Sequence, residues 1–109
     1  QVPMVSYWSS APSLSDTSIY PYFGRTFPSD ETGGLKMLSV LKYYELFNVA
    51  VLFVTDPYAT GYVEVMRRGS QDPDARVNIA FTASFHSGDE AGTRSAVRAV
   101  ASSGVSVVI

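Results

Sequence analysis

Two short stretches of this chain carry side chains suited to gripping a small molecule. In the first, Trp8, Ser9, Ser10 and Ala11 follow an apolar run over residues 2–5. Hydroxyls and backbone N–H groups at the end of a strand can hold a carboxylate or an ammonium group. A Ser-rich turn with no ligand has the same composition. In the second, Thr55, Asp56, Pro57 and Tyr58 come directly after a continuous apolar run over residues 49–54. An aromatic ring there can cover a ligand, or pack the start of the next helix.

Other site chemistries find little support. The single histidine, His86, has no Gly-x-Ser-x-Gly elbow to serve, so it reads as a surface or loop residue. One histidine and no cysteine leave only scattered carboxylates for a metal. Asp56, Asp72 and Asp74 read as loop and turn residues. Phosphate-binding glycine motifs are absent, and the Gly33 and Gly34 pair reads as tight helix packing. The reading is therefore of a binding module with no catalytic residues, no cofactor and no metal.

Of the 109 residues, 46% are hydrophobic, which suits a folded domain and argues against disorder. The net charge of −2 with dispersed basic residues is not the footprint of a nucleic-acid binder. No apolar run reaches the length of a bilayer span. The chain opens without a charged leader and stops within an apolar run, residues 105–109, so the expectation is an excerpt of a longer mature protein.

The elements that must position these stretches alternate between strand and helix patterns. Residues 2–7 read as a short strand and residues 11–21 as a proline-punctuated loop with a short helical turn. Residues 22–27 read as extended, with Phe23, Arg25 and Phe27 on one face. Ser29 is a helix N-cap followed by Asp30 and Glu31, and the helix is expected over residues 30–46 with Met37, Leu38, Leu41 and Tyr44 facing inward. Residues 49–55 form a strand covered on both faces. A second helix is expected from residue 58 or 59 to residue 68, stopped by Gly69. Residues 76–85 contain another strand. Ser87 to Glu90 has the spacing of a capping box. The third helix that it opens carries Ala96, Val97, Val100 and Ala101 inward and ends at Gly104; residues 105–109 are the next strand. The class is α/β, a parallel sheet flanked by helices in βαβ units with right-handed crossovers. Ligands of such sheets sit at the carboxyl ends of the strands, where both opening stretches fall.

Val2 to Tyr7, then Ser9, Ser10, Pro12, Leu14, Ser15 and Asp16, then Tyr20 to Phe23, Arg25, Thr26 and Pro28 to Asp30 resemble the receptor-family ligand-binding region. This is the type I periplasmic-binding-protein fold of metabotropic glutamate and GABA receptors, natriuretic peptide receptors and bacterial amino-acid-binding proteins. Residues 49–58 continue the resemblance, which is looser after Gly69. It implies a fragment of a two-lobed clamshell: residues 1–27 as the end of the first lobe and the hinge crossing, and residues 28–109 as the beginning of the second lobe. Thr26, Phe27 and Pro28 would be hinge residues. Trp8, Ser9, Ser10 and Tyr58 would contact an amino-acid-like ligand, with Ser10 at its amino and carboxylate ends and Tyr58 covering it on closure. Trp8 stands where the glutamate pattern has serine, so glutamate itself is not implied. The resemblance further implies a cell-surface receptor, of the G-protein-coupled or receptor guanylate cyclase type. Such a receptor would be tethered to the membrane by segments outside this chain, face the extracellular side and work as a homo- or heterodimer. The alternative is a soluble periplasmic amino-acid-binding protein of a transporter.

Overall fold

A computed structural model describes residues 2–109; Gln1, the first residue of the expected first-lobe segment, lies outside them. Strand β1 (Met4–Ser6) is followed by a 3-10 turn (Pro12–Ser15) and strand β2 (Phe23–Arg25). Then come helix α1 (Asp30–Tyr43), strand β3 (Asn48–Val54), helix α2 (Pro57–Ser70), strand β4 (Asn78–Phe85) and helix α3 (Glu90–Ser102). The strands form two separate parallel pairs, β1 with β2 and β3 with β4. The radius of gyration, 15.9 Å, exceeds the roughly 13 Å of a compact chain this long because the pairs lie in different parts of the molecule.

Strand β3 is the centre of the second part. One edge pairs with β4, with a register irregularity at Val49/Ala50. The other edge receives residues 107–109: the Ala50 N–H donates to the Val107 carbonyl at 2.8 Å and the Leu52 N–H to the Ile109 carbonyl at 2.9 Å. Chain order therefore reverses at β3. Right-handed crossovers to opposite edges place α2 and α3 on opposite faces of the sheet, so β3 is covered on both sides. That explains its unbroken apolar run: Val49, Ala50 and Val51 are all buried. Val49 and Met66, both fully buried, centre a core shared with Leu38, Leu41 and Val77. Each such side chain contributes about 1.5–3 kcal/mol by leaving water.

The two glycines near the start of α1 set how closely it meets α2. A Cβ on Gly34 would lie 2.9 Å from Val65 Cγ1 and 3.3 Å from the Tyr62 carbonyl oxygen. The Tyr62 hydroxyl also donates to the Gly33 carbonyl at 3.1 Å. Side chains at these positions would push the helices apart, as the packing reading of the glycine pair requires.

Several local expectations need correction. Gly69 does not stop α2, which continues to Ser70; its missing Cβ makes room for Leu38 Cδ1 and Leu35 Cδ2, at 2.7 and 2.8 Å from where a Cβ would stand. Ser87 does not cap α3: Gly88 takes φ +83° and the Asp89 carboxylate accepts from the Gly92 N–H at 2.9 Å. Helix α1 ends at Tyr43 rather than residue 46, because Glu45 turns left-handed at φ +59° and the Leu46 N–H bonds back to the Leu41 carbonyl. That is a Schellman closure with glutamate in the usual glycine place. It leaves Tyr44 exposed, edge-on to Tyr43 with ring centroids 5.1 Å apart, rather than in the core. On α3, Ala96 and Val100 are buried, whereas Val97 and Ala101 face solvent. Ser29 caps α1 as expected, accepting from the Glu31 N–H, and Gly104 follows α3 at φ +75°. Of the last expected strand, residues 107–109 pair with β3.

Candidate functional site

The loop after β3 is built by its capping residue. Asp56 accepts from the Ala59 N–H at 2.8 Å, and Pro57 supplies a first helical residue whose missing N–H costs nothing there. Tyr58 is thereby fixed in the first turn of α2, half exposed, at the carboxyl end of the central strand. One turn later Tyr62 projects from the same face of α2.

Together these tyrosines line a cavity of about 290 Å³ with Asp30, Val51, Phe53, Met66 and Ile109 among its walls. The walls are overwhelmingly apolar, and Asp30 is the one charged residue among them. Asp30 comes from the first turn of α1, where the helix dipole favours a carboxylate. Burial, and then the negative charge of Asp30, push the Tyr62 phenol above its ordinary value. A carboxylate and tyrosine rings lining one cavity are groups that can attract an organic cation by Coulomb and cation–π terms.

The loop after β1 meets the cavity through Asp30. Ser10 donates its hydroxyl to Asp30 Oδ2 at 2.9 Å, and the Ser10 carbonyl accepts the Asp30 N–H at 2.9 Å. The second bond satisfies an N–H that the start of α1 leaves without a helical partner. Next along the chain, Pro12 rests on α2 at Gly61, where a Cβ would stand 3.1 Å from the proline Cδ.

The other two residues expected at the ligand lie elsewhere. Ser9 lines a groove beside β1 and β2 with Met4, Leu14 and Phe23. Its hydroxyl accepts from Ser6 at 2.7 Å, and Ser6 Oγ in turn accepts the N–H groups of Ser9 and Trp8 at 3.0 and 3.3 Å. Two of the amides of this stretch, those of Trp8 and Ser9, are thus engaged within the loop. Trp8, 69% exposed, stacks on Phe27 of the expected hinge, with ring centroids 5.0 Å apart and planes tilted by 33°. Ser10 thus bonds to Asp30, which lines the same cavity as Tyr58, while Trp8 and Ser9 are not among the residues that line it. His86 is exposed, and among the described residues no cluster of three or more metal-ligating side chains occurs.

The sequence singled out neither Asp30 nor Tyr62 as a wall residue of this cavity. The i, i+4 spacing from Tyr58 was a usable signal for Tyr62. For Asp30 there was no local one, since its partner Ser10 lies twenty residues away in the chain.

The family model for the receptor family ligand binding region matches residues 1–109. The extracellular calcium-sensing receptor of Sus scrofa is 27% identical over 108 residues, covering 99% of this chain and 10% of its own length. Metabotropic glutamate receptor 4 of Rattus norvegicus is 32% identical over 72 residues, 66% of this chain and 8% of its own length. Metabotropic glutamate receptor-like protein E of Dictyostelium discoideum is 30% identical over 77 residues, 71% of this chain and 9% of its own length. The chain spans about a tenth of the length of the curated relatives it matches.

Proposed function

The chain belongs to the receptor family ligand binding region, and on that footing we propose that it holds an amino-acid-like ligand by its ammonium group between the Asp30 carboxylate and the Tyr58 ring. The observation that carries this reading is the cavity at the end of β3, which Asp30 lines together with Tyr58 and Tyr62. Ser10 serves the same site by fixing the Asp30 carboxylate. A relative is named for calcium, but calcium takes about six to eight oxygen ligands. One carboxylate among apolar and aromatic walls suits an organic ammonium better.

In this proposal residues 1–27 belong to the first lobe and the hinge approach, and residues 28–109 begin the second lobe. Thr26, Phe27 and Pro28 form the crossing between the β1–β2 pair and α1. The division is supported by the two separate strand pairs. Closing the clamshell presses Tyr58 onto the ligand, and the ligand shifts the open–closed balance by binding the closed state better. The receptors named among the relatives favour a cell-surface receptor facing the extracellular side, with no chemistry of its own at this site. Membrane tethering, a dimeric state and coupling to a G protein or a cyclase belong to the rest of such a receptor.

The test is binding of free L-amino acids to the intact protein carrying Asp30→Asn or Tyr58→Ala. Asp30→Asn removes the charge and leaves an acceptor for Ser10. It should weaken binding at least about tenfold, and Tyr58→Ala about three- to thirtyfold. Unchanged affinity in both variants refutes the site.

A further inference from the structure

Arg25, the last residue of β2, lines no part of the Asp30–Tyr58 cavity, yet it grips the loop that serves it. Its Nη1 donates to the Ser9 carbonyl at 3.2 Å and to the Ala11 carbonyl at 3.0 Å, while its Nη2 donates to the Ser15 hydroxyl. The Ser10 carbonyl, between the two gripped ones, accepts instead from the Asp30 N–H at 2.9 Å. With the Ser9 and Ala11 carbonyls held by one guanidinium, the Ser10 carbonyl between them is the one that meets the Asp30 N–H.

We infer that Arg25 is a positioning residue: by holding the Ser9 and Ala11 carbonyls it presents Ser10 to Asp30, and so sets the carboxylate of the ligand cavity from the opposite side of the hinge. The inference rests on the proposed ammonium site for its consequence in binding, and on hydrogen bonding alone for the linkage itself. The linkage runs from β2 through residues 9–11 to the start of α1. It therefore bridges residues 25 and 30 by a route that bypasses Thr26, Phe27 and Pro28. Ser6 secures the near end of the same loop through the Trp8 and Ser9 amides. The geometry uses what is particular to arginine: a planar fork of donors that reaches two carbonyls and a hydroxyl at once. Lysine offers a point charge on a flexible stem and cannot span them.

The direct test is hydrogen exchange at the Asp30 amide in the intact protein, comparing wild type with Arg25→Met and Arg25→Lys. The Asp30 N–H has no helical acceptor, so its protection reports the bond to Ser10. Arg25→Met should speed its exchange at least about tenfold (1.4 kcal/mol) and Arg25→Lys by a lesser factor. The Leu52 amide, bonded to Ile109, should keep its protection in both and so report intact pairing of β3 with residues 107–109. Asp30 protection unchanged in both variants overturns the inference. Binding of free L-amino acids adds a second arm. Arg25→Met should weaken it about tenfold, and the Arg25→Met/Asp30→Asn double variant should bind no worse than Asp30→Asn alone. Fully additive losses would show that Arg25 does not act through Asp30. If wild type and Asp30→Asn bind every amino acid alike, the ammonium site fails, and exchange at the Asp30 amide still decides the role of Arg25.

Discussion

The close approach of α1 and α2 can be tested by giving Gly34 a side chain. In Gly34→Ala the new Cβ would stand 2.9 Å from Val65 Cγ1, 3.2 Å from Val65 Cβ and 3.3 Å from the Tyr62 carbonyl oxygen. Val65 is buried and β-branched, so its side chain cannot swing away, and the carbonyl is backbone. Overpacking of this kind costs about 1–3 kcal/mol. Alanine returns up to about 1 kcal/mol of helix propensity. The balance is a loss of about 1 kcal/mol. Gly69→Ala is the control on the same seam, because its Cβ would meet only the tips of Leu35 and Leu38. Those ends can shift, so the propensity gain cancels the clash to within about 0.5 kcal/mol. Equilibrium denaturation of the intact protein measures both. Because Asp30 on α1 and Tyr58 and Tyr62 on α2 line the cavity from the two helices of this seam, Gly34→Ala should also weaken amino-acid binding, and Gly69→Ala should not. A Gly34→Ala protein more stable than wild type by the full helix propensity would refute the close packing and the positioning argument built on it.

Two further outcomes are expected. Glu45→Gly should stabilise the protein by about 0.5–1 kcal/mol, since it relieves a left-handed glutamate at the Schellman position; a loss on thermal or chemical denaturation would contradict that reading. The raised Tyr62 phenol keeps its proton longer in the folded than in the unfolded chain, so its contribution is intact below pH about 10 and is lost as pH rises through the raised value. Ultraviolet titration should show one late-ionising tyrosine that disappears in Tyr62→Phe and titrates earlier in Asp30→Asn; Tyr62 ionising together with the exposed tyrosines would count against the cavity.

Much of the fold was legible because it is written locally. The apolar run at residues 49–54 marks a strand covered on both faces, Ser29 followed by two acids marks a helix start, and Gly104 marks a helix end. The misreadings arose where one local signal had a tertiary cause. Gly69 looks like a stop, yet α2 continues past it, and the tips of Leu35 and Leu38 pack where its side chain would stand. Ser87 has capping-box spacing, yet the left-handed Gly88 hands the cap to Asp89. Tyr44 fits the inward stripe by period, but the chain has already left the helix there. The proposed site divides in the same way. The place of Tyr58 was legible because it follows a strand directly, at the carboxyl end of a parallel strand. Asp30 was legible only as a helix-start acid, because its bond to Ser10 joins distant parts of the chain. The placement of Trp8 and Ser9 was not legible, because the Ser6 hydroxyl binds both amides, the Trp8 ring stacks on Phe27 and Ser9 lines a groove beside β1 and β2.

The central claim is that the Asp30 charge, framed by Tyr58, reads a ligand's ammonium group. Its most direct measurement is calorimetric titration of the intact protein and its Asp30→Asn variant with free L-amino acids, each beside the analogue lacking the α-amino group. Wild type should bind at least one amino acid and prefer it over its deaminated analogue by about tenfold or more, a preference that collapses in Asp30→Asn. An undiminished preference in Asp30→Asn would contradict the account.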